Sequence, residues 1–222
     1  MRYLLPLSLL AFCSGLMAQQ NFEGTIRYRM VSPDSAVLVN ISAWYGKNRI
    51  LFTTAPEKAP PGTDLKAETI LLDFRKAAID RYKPNDKVVE REFMTRKGKK
   101  QDIPALTMAP ALAKQVLGHP CTARTTGRFS KSEQKDSVTV AVAGEMVFWY
   151  ADDLIFRVPD SLLMVQMVPL FTNGHIALGS KIKIEPPGMR FVLHTEAKEI
   201  KPGRLRRTVF RHPKGYRLRH NE

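Results

Sequence analysis

Cysteine is nearly absent from this chain, with two among 222 residues. Cys13 lies in an N-terminal segment that we predict to be removed, so Cys121 would be the one thiol of the processed chain. A single thiol excludes a framework of intramolecular disulfides. In an exported chain it favours a periplasm over a harsher exterior. We predict that Cys121 is a small buried apolar residue; the alternatives are a reactive thiol or a dimer disulfide.

Long apolar runs are also missing after the first residues. The chain opens with Arg2, an apolar stretch over residues 4–12 and small residues up to Ala18. This is the pattern of a secretory signal peptide, and it falls short of the roughly 20 residues that span a bilayer. We predict a signal peptide over 1–18, cleaved after Ala18. The remainder, 19–222, is predicted to be one soluble periplasmic or secreted domain of ordinary length.

Acidic residues are scarce: 35 lysines and arginines face 21 aspartates and glutamates, a formal net charge of +14. Such a balance favours anionic neighbours, and the export signal argues against nucleic acid. The segment 201–222 is the most basic, with no acid between Lys201 and His220. It is either a solvated edge strand protected by its charges or a patch for anionic lipid or lipopolysaccharide. The candidate surface residues are Arg204, Arg206, Arg207 and Arg211.

Motifs for catalysis, metal binding or a cofactor are absent. The chain has no GxSxG, no phosphate-binding loop and no glycine-rich dinucleotide turn, and its five histidines lack zinc-ligand spacing. His194 and Glu196 share a strand face, which fits a polar cross-strand surface better than an acid–base pair. Asp152 and Asp153 are adjacent, so they diverge on a strand, and we predict that they end it. The sequence therefore assigns no catalytic residue.

Alternation of apolar and polar residues dominates what is present. In NFEGTIRYRM the apolar residues fall on one side and the charged ones on the other, as in a half-buried strand. We predict hairpins that turn at 46–48 and at 74–76, a polar turn at 131–135, and a strand over 175–185 that is broken or bulged at Gly179. About ten short strands and one or two short helices follow. The predicted fold class is mainly β: a curved antiparallel sheet or unclosed half-barrel with a helical lid.

The stretch EMVFWYADDL at 145–154 is apolar on both faces of a strand. Val147 and Trp149 point one way, and Phe148 and Tyr150 the other, so both sides must be covered. The curved sheet would cover one side, and a short helix over 161–168 the other. A curled sheet under a helical cap often encloses an apolar cavity. The candidate ligand-binding residues are Trp44, Phe148 and Trp149.

Six motifs occur along the chain in a familiar order: NFEGTIRYR, AWYGKNRI, LLDFRKAAIDRY, LGHPCTA, VFWYADDL and VFRHPKGY. Together they resemble domain of unknown function 4412, an uncharacterised family of exported Bacteroidetes proteins. Membership implies a fold like that of the lipoprotein carriers LolA and LolB, an unclosed half-barrel that holds acyl chains in its concave face. The family has no established activity, so the resemblance assigns no functional residue.

Three functional hypotheses follow. The first is a periplasmic, non-enzymatic binding protein that holds a lipid or another apolar ligand in the concave face of the sheet. The second is an envelope interaction module with a filled core, which docks to anionic surfaces through its basic C-terminal segment. An unrecognised hydrolase is third, because active-site residues converge in space and need no sequence motif. The oligomeric state is left open by the sequence.

Overall fold

The chain forms one fourteen-stranded sheet in the part that its structure, a computed structural model, describes. The described residues are 21–34, 36–59, 66–94, 105–135, 138–158, 171–172, 174–185 and 190–220. The predicted signal peptide (1–18) and helix (161–168) lie outside them. The strands are β1 (Gly24–Val31), β2 (Leu38–Gly46), β3 (Arg49–Lys58), β4 (Glu68–Asp73), β5 (Ala78–Lys83), β6 (Val88–Phe93), β7 (Thr107–Met108), β8 (Lys114–Val116), β9 (His119–Lys135), β10 (Val138–Ile155), β11 (Phe171–Thr172), β12 (His175–Glu185), β13 (Phe191–Pro202) and β14 (Arg217–His220).

The strand order is β14-β6-β5-β4-β3-β2-β1-β13-β12-β10-β9-β7, with β8 beside β9 and β11 beside β12. All pairings are antiparallel except the short parallel one between β14 and β6. The helical elements of the described residues are two 3₁₀ turns, Pro110–Leu112 and Arg207–Phe210. The predicted mainly β fold with an unclosed, curved antiparallel sheet is therefore confirmed. Among the described residues, no helix has the length and apolar character to cross a membrane.

The sheet is strongly curved. Phe74 follows β4 and Phe156 follows β10, six steps apart in the strand order. In a flat sheet with about 4.8 Å between strands they would be roughly 29 Å apart. Their ring centroids are 5.9 Å apart, and Phe156 also contacts Tyr45 at 5.5 Å. The two halves of the sheet thus close on a core of aromatic and aliphatic side chains, in which Tyr45 and Phe156 are fully buried.

Alternation in the sequence explains the first strands. On β1, Ile26 and Tyr28 are buried, whereas Arg27 and Arg29 are exposed. The hairpin of β2 and β3 turns at residues 47–48, and that of β4 and β5 at residues 74–77, close to the predicted positions. The bulge at Gly179 is also confirmed, because the β10–β12 register shifts there.

Two predictions about β9 and β10 are wrong. Residues 131–135 do not form a turn, because β9 continues through them and Lys135 pairs with Val138. Asp152 and Asp153 do not end a strand, because β10 runs on to Ile155. The two strands form one long hairpin of 17 and 18 residues, and the aromatic stretch occupies the C-terminal half of β10.

The C-terminal segment covers the outer face of the sheet. Phe210 is buried with Leu71, Tyr82 and Val89 of β4, β5 and β6, and Trp44 packs at the edge of the same cluster. A Cβ on Gly46 would lie 2.8 Å from the Phe210 ring, so glycine is required for this contact. The predicted charged edge strand is present as β14, whose residues are all exposed.

Candidate functional site

The aromatic stretch opens onto a cleft of about 340 Å³. A row of paired residues crosses four strands here: Trp149 is opposite Gly179, Gly179 opposite Glu196, and Glu196 opposite Arg29. Gly179 allows close packing at this point, since a Cβ on it would lie 3.3 Å from the Trp149 ring and 3.2 Å from the Thr195 carbonyl oxygen. The lining residues are Arg29, Val31, Lys114, Trp149, Ser180, His194, Thr195, Glu196 and Lys198.

Trp149 forms a fixed aromatic wall of this Trp149 cleft. Its indole Nε1 donates a hydrogen bond to the carbonyl oxygen of Leu112, at 2.8 Å. The Lys114 ammonium lies 4.1 Å from the ring centroid, within the range of a cation–π interaction. One edge of Trp149 packs against the main core, and the side chain remains partly exposed. The polar atom of the indole is thus satisfied, and an apolar face adjoins the opening.

Positive charge predominates in the cleft. Arg29, Lys114 and Lys198 face a single carboxylate, that of Glu196. Lys198 and Lys114 each contact one Glu196 oxygen, Lys114 at 3.4 Å. The hydrogen bond from Lys198 is the main cause that lowers the pKa of Glu196, and the positive charge of Lys114 adds to it against the opposing effect of burial. Glu196 is therefore ionised at neutral pH and occupies the position that another anion would take between the two ammonium groups.

His194 and Glu196 do converge in this cleft, and Ser180 also lines it. A nucleophile and its base must be joined by a hydrogen bond, and the base by a second one to an orienting group. Among the described residues no hydrogen bond joins Ser180, His194 and Glu196, and both Glu196 oxygens are engaged by lysines. No group of three potential metal ligands occurs in the described ranges either. That the protein is not an enzyme stays a prediction.

The three predicted ligand-binding residues do not share a face. Trp149 lines the cleft, whereas Phe148 is buried in a separate cluster with Tyr150 and Ala177. Trp44 packs on the outer face beneath the C-terminal segment. These three residues therefore do not line one cavity together, and a ligand-binding role for any of them stays a prediction. The register of β10 explains Phe148, which is adjacent to Trp149 and points to the opposite side.

The predicted basic surface is exposed. Arg204, Arg206, Arg207 and Arg211 all lie at the protein surface, and within the described part of the chain none forms an ion pair. Leu205 and Val209, between them, pack on the outer cluster and hold the segment against the sheet. A role in binding anionic surfaces stays a prediction.

The remaining polar candidates have structural partners. The Thr122 hydroxyl donates to Asp152 at 2.7 Å, and His119 Nδ1 lies 2.8 Å from Asp153. Cys121 is buried, as predicted, and burial together with the charge of Asp152 raises its pKa to about 11. Its thiol is therefore protonated at neutral pH and is not an activated nucleophile.

Comparison with known proteins leaves the family open. No family model and no curated protein matches the chain, so the resemblance to domain of unknown function 4412 is not supported. Among solved structures the chain is similar to a putative outer membrane lipoprotein-sorting protein domain from Vibrio parahaemolyticus. The identity is 11%, the match covers 85% of this chain and 89% of that one, and the TM-score is 0.32. A similarity at this level identifies neither a relative nor a ligand.

Proposed function

We propose that the protein is an exported, non-enzymatic binding protein, and that it holds an amphiphile with an anionic group in the Trp149 cleft. The observation that carries this proposal is a single cleft that combines one aromatic wall, Trp149, with three cations, Arg29, Lys114 and Lys198. The apolar part of the ligand lies along Trp149 and Val31. Its anionic group lies among Arg29, Lys114 and Lys198.

The predicted concave position of the ligand is refined by this proposal. Around Tyr45 and Phe156 the space between the two halves of the sheet is occupied by buried side chains of the protein itself. The cleft lies beside that core and shares Trp149 with it. Its volume is at the lower end of the range for small-molecule sites, about 300 to 1,000 Å³. It suits a single-chain amphiphile or the head-group region of a larger lipid.

Binding requires an exchange of partners inside the cleft. In the free protein Lys114 lies over the Trp149 ring and contacts Glu196. An incoming anion replaces Glu196 as the partner of Lys114, and the apolar chain replaces the ammonium on the ring face. Charge-assisted hydrogen bonds to the cations then orient the head group, while contact with the indole supplies apolar burial.

Replacement of Trp149 with alanine is expected to weaken binding of a dansyl-labelled fatty acid at least tenfold, because the ring supplies most of the apolar contact. Lys114→Gln is expected to weaken it severalfold and to reduce the preference for the acid over the matching alcohol. Fluorescence titration measures both effects. Trp44→Phe, on the outer face, is the matched control and should bind as the wild type does. Equal affinity of wild type and Trp149→Ala would reject the cleft as the site.

A second candidate function has its own observation: the exposed, unpaired arginines of the C-terminal segment. In this alternative the protein docks to anionic envelope surfaces. The combined replacement of Arg204, Arg206 and Arg207 with glutamine should then lower partition onto phosphatidylglycerol vesicles and flatten its salt dependence, since each basic group near such a surface contributes about 1 kcal/mol. Lys47→Gln, in the exposed β2–β3 turn, is the single-charge control. An unchanged salt dependence would count against docking by this segment.

A further inference from the structure

One edge of the sheet carries an apolar flap, residues 105–118, which we call the edge flap. It comprises β7, the 3₁₀ turn Pro110–Leu112 and β8, and it runs along the outer side of β9. It lies at the end of the strand order opposite β14. Exposed sheet edges usually carry charges that prevent association. The edge flap has one cation, Lys114, and no acidic residue.

Three large apolar side chains project from the edge flap into solvent. Met108 is 55% exposed, Leu112 45% and Leu117 51%, which are high values for such residues. Met108 pairs with Arg124 of β9, and Leu117 follows the pair of Val116 with His119. Arg124 and His119 are five residues apart, so the exposed side chains follow an edge of about 17 Å.

Leu117 is displayed at a backbone position that disfavours it. It forms, with Gly118, the two-residue turn between β8 and β9, and the φ angles are +51° and +84°. Turns of this kind favour asparagine followed by glycine, because both residues adopt positive φ. For a bulky side chain a positive φ costs about 1 kcal/mol or more. Leu117 therefore has an unfavourable backbone conformation and an apolar side chain exposed to solvent. Neither feature stabilises the folded chain, so stability does not explain a leucine at this position.

We propose that the edge flap is a docking surface for an anionic lipid bilayer, with Leu117 at its leading tip and Leu112 and Met108 behind it. A row of separate apolar side chains along an edge suits a planar apolar layer. Without the predicted signal peptide, which contains Arg2, the formal net charge falls from +14 to +13, and it supplies attraction to an anionic surface. At this edge Asp152 accepts a hydrogen bond from Thr122, and Asp153 lies 2.8 Å from His119 Nδ1.

Docking in this way places the Trp149 cleft at the bilayer surface. The carbonyl of Leu112 accepts the hydrogen bond of the Trp149 indole, and Lys114 lies over its ring, so the edge flap forms one wall of the cleft. The docking surface does not depend on the proposed ligand. A protein that docks without binding fatty acid would retain this inference and lose the proposed function.

The test uses the processed chain recovered from the periplasm, with its N-terminus verified by mass spectrometry, and vesicles of equal parts phosphatidylglycerol and phosphatidylethanolamine. Leu117→Asn should lower the partition coefficient about fivefold, and the triple change Met108→Gln, Leu112→Gln and Leu117→Asn on the order of a hundredfold. Because the substitutions remove apolar contacts, which salt does not screen, the decrease in the partition coefficient should persist at high salt. Leu117→Asn should also be at least as stable to urea as the wild type, since asparagine accepts the turn geometry.

Leu218→Asn is the matched control, because Leu218 is 41% exposed on β14 at the opposite edge. Its partition should equal that of the wild type. Equal partition of wild type and the triple variant would overturn the proposal. So would an equal loss in Leu218→Asn, or equal partition of the wild type onto vesicles of phosphatidylcholine alone.

Discussion

Asp80→Asn is expected to lower the free energy of unfolding by about 3 to 5 kcal/mol, the range for loss of one partner of a buried ion pair. Asp80 on β5 is fully buried, and its cross-strand neighbour Arg91 on β6 is 8% exposed. The guanidinium donates to both carboxylate oxygens, at 2.6 and 2.7 Å, and His212 Nε2 lies 2.8 Å from Oδ2. Asparagine keeps the shape but leaves the buried Arg91 without its hydrogen-bonded counter-charge. Urea unfolding measures the change.

Glu90→Gln is the matched control for this prediction. Glu90 on β6 also forms an ion pair with a residue of β5, Lys83. This pair is longer, at 3.8 Å, and both side chains are partly exposed. A pair of this kind contributes at most about 1 kcal/mol. A loss of similar size in Asp80→Asn and Glu90→Gln would contradict the role given to the buried pair.

The same pair predicts a difference in acid sensitivity. Burial alone would raise the pKa of Asp80, but the hydrogen bonds from Arg91 and His212 outweigh it and hold that pKa below its ordinary value. A carboxyl with a depressed pKa stabilises the fold above the unfolded pKa of about 4, and this stabilisation is lost as the pH falls through the folded pKa. The stability difference between wild type and Asp80→Asn should therefore shrink below about pH 4. A constant difference down to pH 2 would contradict the depressed pKa.

Local alternation was sufficient to predict the early strands, and polarity alone was misleading elsewhere. On β1 the buried and exposed residues alternate as the sequence does, and the two-residue turn at 47–48 follows a glycine. Residues 131–135 are all polar. Because polar runs occur both in turns and in solvent-exposed strands, their pattern does not distinguish the two. They continue β9 because their partners on β10 extend the ladder of the hairpin.

The cleft could not be predicted from the sequence, because its lining residues are far apart in the chain and become neighbours only through the register of strand pairing. Arg29 and Glu196 are 167 positions apart and become neighbours only when β13 pairs with β1. The sequence predicted a break or bulge at Gly179, but the close packing of the Trp149 ring against this glycine depends on which residues face it across two strands. The position of Trp44 could not be predicted for a similar reason. Alternation on β2 separates its two faces, but it does not indicate which face the C-terminal segment covers.

Phe156→Ala is expected to lower the free energy of unfolding by about 3 to 5 kcal/mol, the usual cost of removing a buried phenylalanine ring. Phe156 is fully buried and contacts Tyr45 and Phe74, which belong to the other half of the curved sheet. Its backbone N–H is bonded to the carbonyl of Gly174, so the variant keeps the main-chain connection and loses the ring. Thermal and urea unfolding measure the change.

Phe93→Ala is the control for this change, because Phe93 is 48% exposed at the end of β6 and its ring stacks only on His220 among the described aromatic contacts. Its expected cost is below about 1 kcal/mol. The loss of unfolding free energy in Phe156→Leu should lie between those of Phe156→Ala and Phe93→Ala, since leucine fills part of the volume of the phenylalanine ring. If Phe156→Ala cost no more than Phe93→Ala, the curvature of the sheet would not depend on this aromatic contact.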